Sequence, residues 1–286
     1  MIVNVLCIGD VVGRAGRKTL GDKLPDLIRQ RDIDFVVANA ENVAGGSGMT
    51  AAIYEKLLRY GVDVITMGDH VYRKKDVVPL LETSDHIIRP ANLSSQATGR
   101  QWTVLPTKSK RFRAGVTCLL GQLYMGSNDS PWAAIDRVFA EMDPEVKIRI
   151  VDMHAEATSE KIGMGWYLNG RASIVFGTHT HVATADARVL DQGTAYITDL
   201  GMTGPYDGIL GRRKDRVLAF LTTSMPTTFE VCTGDPRLCG VLVGIDGESG
   251  RAMSIERIEI AGRPVDNGPY DADDGMPQSF TKRRRE

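Results

Sequence analysis

Histidine is scarce in this sequence, five residues in 286, so the placement of each one carries information. Cysteine is scarcer still, and Cys7, Cys118, Cys232 and Cys239 show no CxxC spacing. Cys7 and Cys118 sit inside apolar runs, where cysteine acts as a small buried hydrophobe. Cys232 and Cys239 flank a Gly/Asp/Pro turn and could approach each other, which does not by itself imply an oxidising compartment. No apolar stretch approaches the roughly 18 residues that a membrane span requires. Met1-Ile2-Val3-Asn4-Val5 also lacks the basic start of a secretory signal. The formal net charge is -1, so no overall field favours nucleic acid or a membrane as partner. The basic residues that do cluster, at 108–111 and 282–285, read most simply as solvated surface. A cytoplasmic protein without a membrane partner is expected. A Walker loop, a G-x-G-x-x-G fingerprint and a serine nucleophile elbow are all missing.

What is present is an ordinary globular composition, 42% hydrophobic and 25% charged. The first 70 residues alternate strand and helix. Ile2 to Ile8 reads as a buried strand, and Leu20, Leu24, Leu27 and Ile28 give residues 19–31 one apolar helical face. A strand at 35–38, a helix at 50–60 and a strand at 62–67 follow. Thr50 suits an N-cap and Gly61 a left-handed C-cap. Alternation of this kind implies βαβ units and a largely parallel sheet. The second half is richer in strands, at 102–105, 113–120, 147–151, 174–176, 195–197, 241–243 and 255–260. Helices are expected at 131–142 and 213–222. The expected fold is α/β, two packed mixed β-sheets flanked by helices, with a single domain over residues 1–260. Residues 261–286, rich in Gly, Pro, Asp and basic side chains, read as a flexible basic tail.

Strand after strand runs into a residue that can hold a metal ion. The first ends at Gly9-Asp10, the second at Asn39-Ala40-Glu41-Asn42 and the third at Gly68-Asp69-His70. Later strands run into Asp152-Met153-His154 and Gly177-Thr178-His179-Thr180-His181. Ligands of parallel sheets bind beyond the carboxyl ends of the strands, so these residues would share one site. Four of the five histidines (70, 154, 179 and 181) fall in these motifs. Singly, a Gly-Asp is also a common turn and a lone histidine a common core residue. Gly-x-His-x-His says more, because alternate residues of an extended segment share a face. Carboxylates with imidazoles suit Fe, Mn or Zn. The glycine-rich stretch Gly9 to Gly16 could also turn backbone N–H groups toward a phosphate.

Taken together, these motifs resemble the calcineurin-like metallophosphoesterases, and more closely their YmdB-type phosphodiesterase subfamily. The resemblance rests on Gly9-Asp10-Val11-Val12-Gly13, Glu41-Asn42, Arg89-Pro90-Ala91-Asn92, residues 152–161 (DMHAEATSEK), Gly177 to His181 and Gly201 to Gly208. It implies an αββα sandwich and two transition-metal ions, Fe or Mn, with Zn as the third choice. Asp10, Glu41, Asn42 and His181 would hold one ion. Glu41, Asp69, His154 and His179 would hold the other, with Glu41 shared. Two ions about 3.5–4 Å apart would bind the phosphoryl oxygens and acidify a shared water for in-line attack. His70 is the candidate general acid, although a hydrogen-bonded structural histidine fits the same position. Arg89, Tyr124 and Tyr206 are candidate substrate contacts, and a tyrosine ring could stack on a base or simply pack. The substrate expected is a small phosphodiester or nucleotide, with 2′,3′-cyclic nucleotides first. RNA contact is a further option, and a homo-oligomer is expected.

Four positions depart from the subfamily pattern. Asp69 stands where an asparagine is usual, Tyr72-Arg73 replaces Trp-Asp, and Gln122 stands in place of an arginine. Asp69 and Gln122 leave open an alternative, a metal-stabilised regulatory protein that binds nucleotide or RNA with little turnover.

Overall fold

The computed structural model describes residues 1–265, 268 and 270–274. The chain runs β1 (Ile2–Ile8), α1 (Gly13–Gln30), β2 (Phe35–Asn39), α2 (Ala51–Tyr60), β3 (Val64–Thr66), α3 (Val77–Thr83) and β4 (Ile87–Ile88). It continues with β5 (Trp102–Pro106), β6 (Arg113–Leu120), α4 (Pro131–Glu141), β7 (Ile148–His154), α5 (Thr158–Tyr167), β8 (Ile174–Thr178), β9 (Arg188–Val189) and β10 (Ala195–Ile197). It closes with β11 (Gly204–Pro205), α6 (Lys214–Thr223), β12 (Pro236–Asp246) and β13 (Ala252–Ala261). One sheet has the order β11-β12-β1-β2-β3-β4, with β13 also on β12, and the other has β5-β6-β7-β8-β10-β9.

Period-two patterning assembles the layers. Val3, Val5 and Cys7 of β1 face Val116, Ile150, Ile174 and Phe176 of the second sheet, in one core between the sheets. Leu6 and Ile8 point the other way, into a core closed by Leu20, Leu24, Ile53, Leu57 and Leu81 of α1, α2 and α3. On the far side, Ile135, Val138 and Met164 cover the second sheet. The result is the expected two-sheet sandwich with helices outside. β1 to β4 are mutually parallel, as are β6, β7, β8 and β10, so the chemistry-bearing ends lie together.

Both predicted caps of α2 form. Thr50 accepts from Ile53 N, and Gly61 is left-handed with φ 103°. Helix α1 starts earlier than expected, at Gly13, so the glycine-rich stretch is its first turn. Three N–H groups at its start are already used, with Val11 N on Asn39 O, Val12 N on Thr203 O and Gly13 N on Asn42 O. These three anchor neighbouring loops. Helix α5 escaped the sequence reading because two glycines interrupt its pattern. Gly165 is needed there, since a Cβ would lie 2.4 Å from Tyr196 Cδ2 of β10. All four cysteines are free and buried.

Of the tail expected from residue 261, part is among the described residues. Ala261 ends β13, and Asp271 to Asp274 return to the body, where Asp274 is buried against Arg17. The basic run at 282–285 lies outside the described residues. No helix among the described residues is long and apolar enough to cross a membrane.

Candidate active site

The parallel strands deliver their ends to one place. Asp10 follows β1, Glu41 and Asn42 follow β2, Asp69 and His70 follow β3, His154 closes β7, and His179 and His181 follow β8. The last two do not lie on an extended segment as expected. Both have left-handed backbones, φ 91° and 64°, and reach the site from a loop. Asp199 holds that loop by accepting from Thr180 N (3.3 Å) and Thr180 Oγ1 (2.7 Å). The Lys161 ammonium, fully buried, neutralises Asp199 at 2.6 Å.

Glu41 stands at the centre of the cluster. Its Oε1 accepts from Asn42 Nδ2 at 3.0 Å, and its Oε2 lies 3.5 Å from His154 Nε2. Around Oε2, ligand atoms of Glu41, Asp69, His154 and His179 all fall within 4.8 Å of one another. On the other side, His181 Nε2 lies 3.7 Å from Asp10 Oδ1 and 3.2 Å from Asn42 Nδ2. Gly68 makes room for the first group, because a Cβ there would sit 2.3 Å from both Glu41 Oε2 and His154 Nε2. The sequence motif Gly68-Asp69-His70 by itself gives no sign of this close approach.

Each imidazole is oriented by its other nitrogen. Asp152, buried, takes hydrogen bonds from Asn39 Nδ2 (3.0 Å), Thr66 Oγ1 (2.5 Å) and Thr178 Oγ1 (2.6 Å). With its proton committed to Asp152, Thr178 accepts from His154 Nδ1 at 2.8 Å and leaves the His154 Nε2 lone pair facing Glu41. His181 donates Nδ1–H to Leu210 O at 3.2 Å, and His179 Nε2 lies 3.2 Å from Glu156 Oε2. Bonds of this kind fix the tautomer of a metal-bound histidine. Glu156, Glu160 and Lys161 come from the DMHAEATSEK stretch, where Glu160 caps Gln122 N and Leu123 N. Asn39, Asp152 and Thr178 went unassigned from sequence, being spread over 113 and 26 positions before the fold joins them.

The donor set fits a cationic occupant. Asp10 Oδ1 is buried with no hydrogen-bond partner among the described residues. Burial pushes the Asp10 carboxyl up to about 7, even though the charge of His154 opposes it. Burial also works against an ionised Glu41, but His154 and His70 outweigh it and hold that carboxyl well below its usual range. Burial and the His154 charge press His179 down to about 4. Burial and Arg73 oppose a charged His70, yet Glu41 and Asp69 raise it above its ordinary value. Its Nδ1 donates to Asn42 Oδ1 at 2.8 Å, and its Nε2 lies 3.5 Å from Asp69 Oδ2.

The three expected substrate contacts, Arg89, Tyr124 and Tyr206, differ in their surroundings. Arg89 is buried, and its guanidinium donates to the carbonyls of Pro90, Ser94 and Ala97, so it braces its own loop. The Tyr206 hydroxyl turns inward, donating to Met202 O and accepting from Met202 N, while Arg237 covers the ring. Tyr124 is 89% exposed. Gln122 sends its amide to Asn128 O.

Among curated relatives, the 2′,3′-cyclic-nucleotide 2′-phosphodiesterase of Bacillus subtilis (strain 168) is 42% identical over 258 residues, 90% of this chain and 97% of the relative. A crystal structure of a hypothetical protein from Thermus thermophilus superposes with a TM-score of 0.85 at 37% identity, covering 91% of this chain and all of that one. That of a novel phosphatase from Mycoplasma pneumoniae gives 0.85 at 30% identity, covering 91% and 94%. Fold, site and relatives define a phosphoesterase of the calcineurin-like metallophosphoesterase class. Within that class, the model of the YmdB-like proteins matches residues 6–258, and the chain belongs to that family.

Proposed function

We propose that this chain is a dinuclear metal-dependent phosphodiesterase, with 2′,3′-cyclic nucleotides as its first candidate substrates. The observation that carries the reading is Glu41, which shares one group of ligand atoms with Asp69, His154 and His179 and bonds Asn42, whose Nδ2 reaches His181 Nε2 at 3.2 Å. Asp10 Oδ1, Glu41 and His181 Nε2 would hold one ion. Glu41, Asp69, His154 Nε2 and His179 Nδ1 would hold the other. Asn42 offers Nδ2 to this side, so its service as a ligand requires the amide turned over. When bound, such ions offset phosphoryl charge and acidify water.

The chain's own residues supply the rest. Asn42 and Asp69 hold the His70 ring, and Glu41 and Asp69 raise its proton affinity, which favours the charged form that an acid for the leaving oxygen requires. The substrate named for the Bacillus relative supports the choice of cyclic nucleotide. The test pairs elemental analysis with hydrolysis of 2′,3′-cyclic AMP, bis(p-nitrophenyl) phosphate and p-nitrophenyl phosphate. Metal uptake with diester turnover supports the reading. Activity on the monoester alone, or no uptake of Mn or Fe, defeats it. Tight nucleotide binding without turnover would instead favour a regulatory binding protein, the reading that Asp69 prompts.

A further inference from the structure

Residues 43–50 connect Glu41 and Asn42 to α2, and much of their support comes from outside the loop. Within it, Gly48 N bonds Glu41 O at 2.5 Å and Ala44 N bonds Gly48 O at 2.9 Å. From α1, Arg17 Nη1 donates to Val43 O at 2.6 Å. From the far end of the chain, Asp274 Oδ1 accepts Gly45 N at 2.7 Å, and Asp273 O accepts the Thr50 hydroxyl at 2.7 Å.

The segment itself is firmly tied down. Arg17 and Asp274 are each 4% exposed and pair at 2.6 Å, while Asp271 takes the other Arg17 nitrogen at 2.7 Å. Lys56 pairs with Asp273, and Lys74 donates to Asp274 O at 2.8 Å. The Tyr270 ring lies against Gly45. The family model ends at residue 258, so these contacts lie past the matched part of the chain.

We propose that Asp271 to Asp274 form a latch that positions the loop bearing Glu41 and Asn42, with Asp274 and Arg17 as its positioning residues. The inference rests on the metal reading above. A buried ion pair that loses one partner leaves an uncompensated charge, so Arg17 and the segment act as a unit. With the latch open, Gly45 N loses its acceptor and Arg17 loses its counter-charges beside Val43 O. The loop then holds Glu41, the carboxylate shared by the two proposed ion sites, less firmly. The consequence falls on metal affinity and not on the chemical step.

The test uses the full chain, Asp274→Ala, Asp273→Ala and a chain ending at Val265. Amide exchange is followed in metal-free protein, and Mn(II) affinity and kcat at saturating Mn(II) are measured beside it. In Asp274→Ala, exchange over residues 43–48 should quicken at least tenfold while the sheets keep their protection. Mn(II) affinity should fall about tenfold, the low end for a residue that supports a ligand, with kcat at saturation preserved. Asp273→Ala, which removes only the Lys56 pair, should change little. Unchanged exchange and affinity in Asp274→Ala overturn the latch, as does exchange that quickens throughout the molecule. If the shortened chain does not fold, the point variants decide. If the wild-type chain takes up no Mn(II), the proposed function falls, and exchange alone decides whether the latch exists.

Discussion

His154 Nε2 and His179 Nδ1 face each other across 3.2 Å, with Asp69 Oδ1 3.2 Å from the first and 3.6 Å from the second. The outer nitrogens of both rings are engaged, by Thr178 and Glu156. Two imidazole lone pairs at this separation need a cation between them, either a proton or a metal ion. Without metal the proton sits on His154: burial opposes it, but Glu41 and Asp69 raise its affinity well above the ordinary value.

Metal removal should therefore cost stability. Chelation should lower Tm, and Mn(II) at a hundred times its Kd should restore about 2.7 kcal/mol per site. Glu41→Ala should lose occupancy at both sites together. Differential scanning fluorimetry with elemental analysis checks this, and a variant that keeps two ions per chain would remove Glu41 from the bridging position.

Asp10 gives a pH-dependent counterpart. Its carboxyl titrates at about 7 in the fold against 3.8 when free, because burial penalises the charge. The folded chain therefore binds this proton more tightly than the unfolded chain. That contribution is complete below about pH 4 and is lost as pH rises to about 7. At pH 8 the metal-free wild type carries a buried carboxylate whose Oδ1 has no hydrogen-bond partner among the described residues, while Oδ2 accepts from His179 N. Asp10→Asn should then be the more stable by something on the order of a few kcal/mol, with the gap narrowing as pH falls toward 4. Urea unfolding in EDTA at pH 5 and pH 8 measures it. Mn(II) should reverse the order, since the variant lacks a ligand. A gap independent of pH would mean that Asp10 is not the group titrating.

The gathering of Asp10, Glu41, Asp69, His154, His179 and His181 was legible because parallel strands end on one edge, and chain order alone says which residues arrive there. The conformation of the last two was not, since their left-handed backbones depend on Asp199 and the buried Lys161. Helix α5 was hidden because Gly163 and Gly165 weaken a local helix pattern that Trp132 and Tyr196 support from other elements. Arg89 and Tyr206 were placed by their nearness to conspicuous motifs. Sequence could not tell that Arg89 spends its donors on its own loop, or that the Tyr206 hydroxyl turns toward Met202 and Cys239. The acidic latch was invisible for a related reason: Arg17 and Asp274 lie 257 positions apart, and a Gly/Pro/Asp-rich composition reads as unstructured.

His70→Ala removes a proton donor without removing a ligand. Turnover of a cyclic nucleotide should fall about 10²–10⁴-fold. The loss should be far smaller for bis(p-nitrophenyl) phosphate, whose leaving group needs no proton. Steady-state kinetics on both substrates, with metal content matched, makes the comparison. Equal losses on the two would identify His70 as a structural residue whose ring holds Asn42 Oδ1 and Glu41 Oε1 through Nδ1.

Asp69 is the position where this chain departs most usefully from the subfamily pattern that its motifs resemble. Its Oδ1 lies 3.2 Å from His154 Nε2 and its Oδ2 3.5 Å from His70 Nε2, so one carboxylate touches both the cage and the candidate acid. A negative charge beside a phosphate weakens substrate binding, and in a partly buried cleft such interactions reach a few kcal/mol. Asp69→Asn should therefore lower KM or raise kcat with divalent metals, while Mn(II) affinity falls modestly for want of an anionic ligand. The pH profile supplies a second readout. Asp69 is one of the charges that raise the proton affinity of His70, so its loss should move the alkaline limb of kcat, where His70 deprotonates, to lower pH. The acidic variant and the amide variant thus differ in three measurable ways: metal affinity, KM and the position of that limb. If Asp69→Asn altered none of them, Asp69 would be neither a ligand nor a partner of His70, and the second donor group would have to be built from Glu41, His154 and His179 alone.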